Sequence, residues 1–280
     1  MDIRYSVNPR DVRRYTTQEL RDEFLITGLY TPDTVKAVYS HVDRMVTFGI
    51  MPVNKTLPLD NGIDIWANFG TDYLLERREL GLFNLGGAGL CNVDGTEYRL
   101  NSKDCLYIAK GARKVAFASS DTLEPAKFYC VSAPAHRSFE TKLLTLDDAA
   151  KNPIGADETS NKRVIYQFIH PDVLPTCQLL MGMTVLEPGN VWNSMPLHTH
   201  ERRMEIYTYF DLQGDNVIIH LMGEPGETRH LVMQNEEAVI SPSWSAHSGC
   251  GTTSYSFIWA MGGENQAFTD MDVVKTTDIR

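Results

Sequence analysis

Three histidines and one glutamate in the C-terminal half have residue types and a spacing that suit metal binding. The set is His198, His200, Glu205 and His247. Residues i and i+2 of a β-strand point to the same face, so His198 and His200 can both point into a barrel. The intervening residues 201–204 leave room for a turn before Glu205 enters the next strand. Three neutral imidazoles and one carboxylate suit Zn²⁺, Fe²⁺, Mn²⁺ or Ni²⁺, with a position left for water or substrate.

The chain also contains an internal repeat, and the predicted ligands occur in only one copy of it. The segment Glu76–Leu80 resembles Glu201–Glu205, and residues 106–115 resemble residues 238–247 in the same order. Repeats of this kind are the signature of a duplicated structural unit. Under this alignment the four ligand positions correspond to Tyr73, Leu75, Leu80 and Val115. We therefore expect one metal-binding β-domain and one that only packs, with about one metal per chain.

The elements that must position these residues are mostly short strands. Brief apolar segments alternate with turns at a spacing of roughly 8–12 residues, which favours a sandwich or barrel. The predicted strands are Tyr98–Leu100, Leu106–Ile108, Val115–Ala118, Ile206–Phe210, Val217–Met222, Arg229–Met233 and Ala238–Ile240. The best helix predictions are Thr17–Phe24, with Thr17 as N-cap, and Pro32–Tyr39.

These patterns predict an all-β fold of two tandem barrels with short N-terminal helical segments. Residues 1–28 form an N-terminal segment and residues 29–140 a metal-free barrel. Residues 141–162 are polar and carry Pro and Gly, which indicates a linker. The metal-binding barrel then occupies residues 163–280.

Composition excludes several classes of partner. The 280 residues carry a net charge of −10, which disfavours nucleic acid and anionic membrane surfaces. No apolar stretch is long enough for a membrane span, and the N-terminus lacks the apolar core of a signal peptide. The five cysteines are odd in number, and no two have CxxC spacing. We expect reduced thiols and a cytoplasmic protein. The aromatic residues Trp66, Phe69, Tyr73 and Phe83 favour an oligomer, since some of them need a surface to bury against.

The ligand set followed by Pro242-x-x-x-x-His247 resembles the cupin superfamily, whose double-stranded β-helix (jelly-roll) barrel holds a metal with three His and one Glu. A closer resemblance, to the 5-keto-4-deoxyuronate isomerase family, covers essentially the whole chain. The segments that carry it are Tyr39–Arg44, Gly49–Val53, Phe69–Gly89, Pro134–His136, Pro171–Leu174, Met195–Glu205, Ile240–Gly249 and Gly263–Gln266.

This resemblance implies two tandem cupin-type barrels and a zinc-dependent ketol-isomerase, an intramolecular oxidoreductase. The implied reaction converts 5-dehydro-4-deoxy-D-glucuronate to 3-deoxy-D-glycero-2,5-hexodiulosonate during the breakdown of pectin and glycosaminoglycan uronates. The resemblance also implies one zinc per subunit on the four ligands named above. The implied assembly is a homohexamer.

Isomerisation requires a group that moves a proton between neighbouring carbons, or a hydride shift, and both remain open. Glu201, Tyr207 and His220 are candidate bases, beside the ligands Glu205 and His247. Arg202 and Arg203 lie between the ligands His200 and Glu205 in the sequence and can bind a uronate carboxylate through bidentate hydrogen bonds. An equally good interpretation is that both arginines hold the loop or a subunit contact.

Two other functions fit the same residues. A metal-dependent cupin dioxygenase would require iron and open coordination positions for O₂. A sugar-binding protein with two cupin barrels would keep the metal for structure alone. Loss of activity without O₂ would identify a dioxygenase. Absence of any turnover would identify a sugar-binding protein.

Overall fold

The computed structural model describes residues 1–280, and β-strands dominate it. Three α-helices are present: α1 (Pro9–Val12), α2 (Thr17–Phe24) and α3 (Ile65–Phe69). Short 3₁₀ turns lie at Leu74–Glu76, Asp157–Thr159 and Thr276–Asp278. No helix has the length and apolar character required to cross a bilayer.

The strands are numbered in chain order. They are β1 (Asp2–Arg4), β2 (Leu25–Ile26), β3 (Thr34–Ser40), β4 (Val46–Met51), β5 (Leu57–Pro58), β6 (Arg78–Asn84), β7 (Gly89–Val93), β8 (Thr96–Leu100), β9 (Cys105–Ile108), β10 (Val115–Ser119), β11 (Phe128–Pro134), β12 (Lys142–Leu144), β13 (Ala150–Ile154), β14 (Arg163–Ile169), β15 (Leu180–Leu186), β16 (His198–Thr199), β17 (Arg203–Phe210), β18 (Ile218–Met222), β19 (Arg229–Met233), β20 (Ala238–Ser241), β21 (Ser248–Gly251), β22 (Ser256–Gly263) and β23 (Asp272–Val273).

The chain folds into two units whose sheets repeat one strand order. In the first unit a seven-stranded sheet has the order β1-β3-β4-β11-β6-β9-β12, and a smaller sheet has the order β5-β10-β7-β8. In the second unit the corresponding orders are β13-β14-β15-β22-β17-β20-β2 and β19-β18-β21. A large and a small sheet facing each other across one core form a jelly roll. The predicted all-β fold of tandem barrels is confirmed.

The boundaries of the units differ from the predicted ones. The first unit comprises residues 1–3, 28–149 and 168–179, and the second comprises residues 4–27, 150–167 and 180–280. Most of the predicted N-terminal segment therefore lies in the second unit, where Leu25 and Ile26 pair with Val239 and Ala238. The predicted linker contains β12 and β13, and β13 pairs with β14. Polar, Pro-containing sequence is compatible with an edge strand, because one side of such a strand is open to water.

One predicted helix is present and the other is a strand. Helix α2 has the predicted bounds, but its N-cap is Thr16. The Thr16 hydroxyl accepts a hydrogen bond from the Glu19 amide, and the Glu19 carboxylate accepts one from the Thr16 amide. This reciprocal capping box satisfies two backbone donors that the first turn leaves unpaired.

The prediction of a helix at Pro32–Tyr39 is wrong, because β3 occupies Thr34–Ser40. Ala37 and Tyr39, two residues apart, both contribute to the apolar core of the first unit. This two-residue period and the β-branched side chains of β3 suit a strand.

Apolar side chains occupy the first unit where the repeat places ligands in the second. Leu75, Leu80 and Val115 all belong to the core of this unit. Tyr73 packs against the guanidinium of Arg113, whose carbon lies 4.7 Å from the ring centre. These positions therefore stabilise the first barrel by packing.

Glu79 is a fully buried carboxylate in the first unit, on β6. It accepts hydrogen bonds from the Tyr107 hydroxyl (2.8 Å) and from the backbone amides of Cys177 (2.9 Å), Gln178 (2.8 Å) and Leu179 (2.9 Å). Because both oxygens are used by neutral donors, the carboxylate fastens residues 177–179 to the first barrel.

We expect Glu79→Gln to lower the free energy of unfolding by about 2–4 kcal/mol, because an amide NH₂ would face buried donors. Urea denaturation of the variant measures this loss. Glu97→Gln, on the exposed strand β8, is the control and should stay within about 0.5 kcal/mol of the wild type. Equal midpoints for Glu79→Gln and the wild type would contradict the assignment.

Candidate metal centre

Strand β17 places Glu205 in the middle of the large sheet of the second unit. Glu205 lies opposite Ser241 on β20 and Met261 on β22. Pairing on both sides fixes the backbone of β17 at Glu205, so the carboxylate extends from a well-defined Cα position. Tyr207 is two residues further along the strand and projects from the same face.

The three histidines come from two places in the fold. His198 begins β16, where it pairs with Val273 on β23, and His200 follows directly after β16. His247 immediately precedes β21 and forms an isolated β-bridge with His198. The rings of His198 and His200 are stacked with centres 4.8 Å apart, as expected for side chains on one face. The His247 ring stands nearly perpendicular to both, at 4.7 and 4.8 Å.

These four side chains converge on one point. Their nearest ligand atoms all lie within 4.8 Å of one another. Glu205 Oε2 lies 2.8 Å from His247 Nε2 and 3.7 Å from His200 Nε2. All three atoms are buried, and none has a hydrogen-bond partner. Buried, unpartnered atoms of two imidazoles and a carboxylate, with the half-buried His198 beside them, fit a divalent transition-metal ion.

The surroundings keep the imidazoles in the form that a metal requires. Burial is the main cause that lowers the pKa of His198 and of His200, so both rings are neutral near pH 7. His247 Nδ1 lies 3.2 Å from the backbone oxygen of Ser245 and can donate to it. That hydrogen bond would leave the lone pair on Nε2, which faces Glu205.

The cluster opens into a cavity of about 410 Å³ within the second unit. This volume is in the range of small-molecule sites. Most of its wall is apolar, with Phe257, Trp259 and Met261 projecting from alternate positions of β22. The polar and ionisable residues that line it are Asn152, Arg163, Thr184, Ser194, His198, His200, Glu205, Tyr207 and Thr269.

Tyr207 brings a phenol to the cavity beside the cluster. Its hydroxyl lies 3.3 Å from Ser194 Oγ, and its ring centre lies 5.4 Å from that of His247. Burial, and after it the negative charge of Glu205, raises the pKa of Tyr207 well above its usual value. The phenol is therefore protonated at neutral pH and can donate a hydrogen bond.

The other predicted bases lie away from the cavity lining. Glu201 is exposed on the turn after β16. His220 is fully buried, with Nδ1 2.8 Å from the Tyr209 hydroxyl, and burial lowers its pKa to about 3. Neither residue lines the cavity.

The two arginines predicted to bind substrate make other contacts. Arg202 forms ion pairs with Asp270 (2.5 Å) and Asp272 (3.0 Å). Arg203 is buried and donates to the backbone oxygen of Asp270 at 3.0 Å. Neither residue lines the cavity. Both arginines hold the segment around Asp270, next to the lining residue Thr269, in agreement with the alternative that they fix a loop.

Sequence reasoning missed Arg163 and Ser194 as lining residues. Arg163 begins β14, a strand placed at the predicted boundary between linker and barrel. Ser194 lies in the irregular segment before β16. Neither β13 nor β14 has a regular two-residue alternation of polar and apolar residues, so the sequence offered no signal for Arg163.

Solved structures with the same fold share little sequence with this chain. An IolB-like protein from Salmonella typhimurium LT2 superposes with a TM-score of 0.69 at 13% identity, covering 90% of this chain and 96% of that chain. A variant of oxalate decarboxylase from Bacillus subtilis has a TM-score of 0.51 at 13% identity and covers 80% of this chain and 70% of that chain. At these identities the likeness shows the cupin-like fold alone.

Curated relatives are much closer in sequence. Proteins named 4-deoxy-L-threo-5-hexosulose-uronate ketol-isomerase from Halalkalibacterium halodurans and Lachnoclostridium phytofermentans are each 52% identical over 280 residues, covering 100% of both chains. The model of the KduI/IolB family matches residues 8–276. The chain therefore belongs to the KduI/IolB family.

Proposed function

We propose that the protein is a ketol-isomerase of uronate catabolism. Its substrate is 4-deoxy-L-threo-5-hexosulose-uronate, the compound written above as 5-dehydro-4-deoxy-D-glucuronate, and its product is 3-deoxy-D-glycero-2,5-hexodiulosonate. The observation that carries this proposal is the 52% identity over the full length with relatives of that name. The cavity with its cluster of His and Glu side chains supports it.

The proposed cofactor is one zinc ion per chain, held by His198, His200, Glu205 and His247. When bound there, the metal polarises the substrate carbonyl and stabilises the negative charge that develops on the substrate oxygens. The unpartnered donor atoms of the cluster support this assignment.

The chain's own residues supply the remaining functions. The Tyr207 phenol donates a hydrogen bond to a substrate oxygen and holds a proton there, with Ser194 orienting the hydroxyl. The apolar wall formed by Phe257, Trp259 and Met261 limits access of water to the reacting carbons. Glu205 is the only carboxylate in the lining. In the proposed reaction it is therefore the only carboxylate close to the proton that leaves the substrate carbon.

The proposal includes a homohexamer, as the family resemblance implies, and a cytoplasmic location, for which the unpaired cysteines are the support. Trp66 supports an interface on the first unit, because 72% of its surface is exposed. Phe83 does not contribute to this argument, because it is fully buried against Phe168.

The test of the activity is turnover of the uronate. We expect purified, metal-loaded protein to isomerise the product of an unsaturated glucuronyl hydrolase under nitrogen, followed by NMR. Since no oxidant takes part, the rate should be the same in air. No turnover at full metal occupancy would contradict the isomerase, and activity only in air would identify a dioxygenase.

We expect His200→Ala to lose most of the metal, because one of four protein ligands is removed. Elemental analysis of protein purified without chelator should give about one zinc per chain for the wild type. His230→Ala is the control, since His230 is exposed on β19 and should keep the metal. Equal metal content in both variants would contradict the assigned ligand.

We expect Tyr207→Phe to reduce kcat by about 10²–10⁴-fold with unchanged metal content, because the donor hydroxyl is lost. Steady-state kinetics and elemental analysis together measure this. Tyr209→Phe is the matched control on the same strand, because Tyr209 bonds to His220 and does not line the cavity. Similar kcat values for Tyr207→Phe and Tyr209→Phe would remove Tyr207 from the reaction.

A further inference from the structure

Arg163 is the one arginine or lysine among the residues that line the cavity. It lies on β14 directly opposite Ile154 of β13, and Ile165 lies opposite Asn152 in the same register. Opposed residues share a face of the sheet, and so do residues i and i+2. The pairing alone thus places all four side chains on one face, and all four line the cavity.

The positive charge of Arg163 has no acidic partner. One terminal nitrogen donates to the backbone oxygen of Asn161 at 2.6 Å, and no carboxylate lies within ion-pair distance. Burial lowers the pKa of Arg163, and only the hydroxyls of Tyr207 and Tyr255 act in the opposite direction. A half-buried guanidinium that has lost part of its hydration and has no counter-ion is well suited to bind an anion.

Arg163 lines the same cavity as His198, His200 and Glu205 of the metal cluster. Arg203 is also close, but its Nε and one terminal nitrogen are buried without a partner, and the residue is only 1% exposed. Arg163 is therefore the cation that a bound molecule can reach.

We propose that Arg163 binds the carboxylate of the keto-uronate and so sets the enzyme's preference for an acid over a neutral sugar. This inference rests on the proposed function. The substrate has its aldehyde at one end and its carboxylate at the other, about 6–7 Å apart for six extended carbons with C–C bonds of about 1.5 Å. In the sheet order β14-β15-β22-β17, two strands separate Arg163 from Glu205, and both residues line the cavity.

In this arrangement Arg163 recognises the substrate carboxylate, and the His and Glu cluster acts at the reacting end. An aldehyde with an adjacent hydroxyl is common to many sugars, so the cluster cannot select an acid. A guanidinium can form two parallel hydrogen bonds with a carboxylate, and a neutral analogue leaves those donors unpaired. Arg163 fixes the end of the substrate remote from the reacting carbons, which also orients the reacting end.

The test compares Arg163→Met with the wild type on two compounds, the uronate and its C6 primary amide. Met keeps the apolar stem and removes the charge. For the uronate we expect kcat/KM to fall by about 30-fold or more. For the amide we expect little change, so the preference for the acid largely disappears. Metal content and the thermal midpoint should match the wild type, which shows that the variant is folded and loaded.

Lys151→Met is the matched control. Lys151 lies on β13 opposite Tyr166, which places it on the other face from Arg163, and it is exposed. Its variant loses the same charge on the neighbouring strand and should keep the preference for the acid. Arg202→Ala tests the rival arginine named above. An unchanged preference in Arg163→Met, or its loss in Arg202→Ala instead, overturns the inference.

Calorimetric titration separates this inference from the proposed function. If the wild type binds the uronate but does not convert it, the isomerase proposal fails, and the Kd values still test Arg163. We expect the wild type to bind the uronate more tightly than the amide, and Arg163→Met to bind both about equally. Equal Kd values for acid and amide in the wild type would overturn the role of Arg163 whatever the outcome of the activity assay.

Discussion

The second barrel depends on a cluster of four side chains, three of which are buried with ligand atoms that lack hydrogen-bond partners. His200 Nε2, Glu205 Oε2 and His247 Nε2 are all shielded from water. Each such atom costs about 1–3 kcal/mol when it stays unpaired. A bound metal ion that accepts their lone pairs would remove this cost. The pairing of β17 on both sides and the Ser245 contact to His247 keep the cluster in place.

The first barrel shows the same fold without that constraint. It repeats the strand order of the second, yet Leu75, Leu80 and Val115 fill the equivalent positions and belong to its core. Burying each of these aliphatic side chains contributes about 1.5–3 kcal/mol, with no requirement for a ligand. The fold therefore fixes positions around a barrel interior, and the side chains at those positions decide whether the barrel only packs or also binds.

The sequence predicted features that depend on short-range geometry. His198 and His200 are two residues apart, so a strand brings their rings together, and the stacked rings show this. The regular spacing of short strands and the internal repeat could also be recognised in the sequence itself. Features that depend on distant partners were not visible. Arg202 looked available from its neighbours in sequence, but it pairs with Asp270, which lies 68 residues further along the chain.

The edge strands show the same limit. Residues 150–154 are mostly exposed and polar, and only their pairing with β14 makes them a strand. That pairing also gives Arg163 its place in the cavity wall. A sequence pattern indicates the secondary structure that one segment favours. The lining of this cavity depends instead on which strands pair with one another in the sheet.

The most direct test of the central claim is X-ray absorption spectroscopy at the zinc edge of the purified, metal-loaded protein. With the four assigned ligands, we expect three imidazole nitrogens at about 2.0–2.1 Å and carboxylate oxygen at about 2.0–2.2 Å from the metal. We also expect the loss of one imidazole from the spectrum of any His200→Ala protein that retains zinc. A sulfur shell at about 2.3 Å, or an unchanged spectrum in His200→Ala, would place the metal elsewhere and contradict the account.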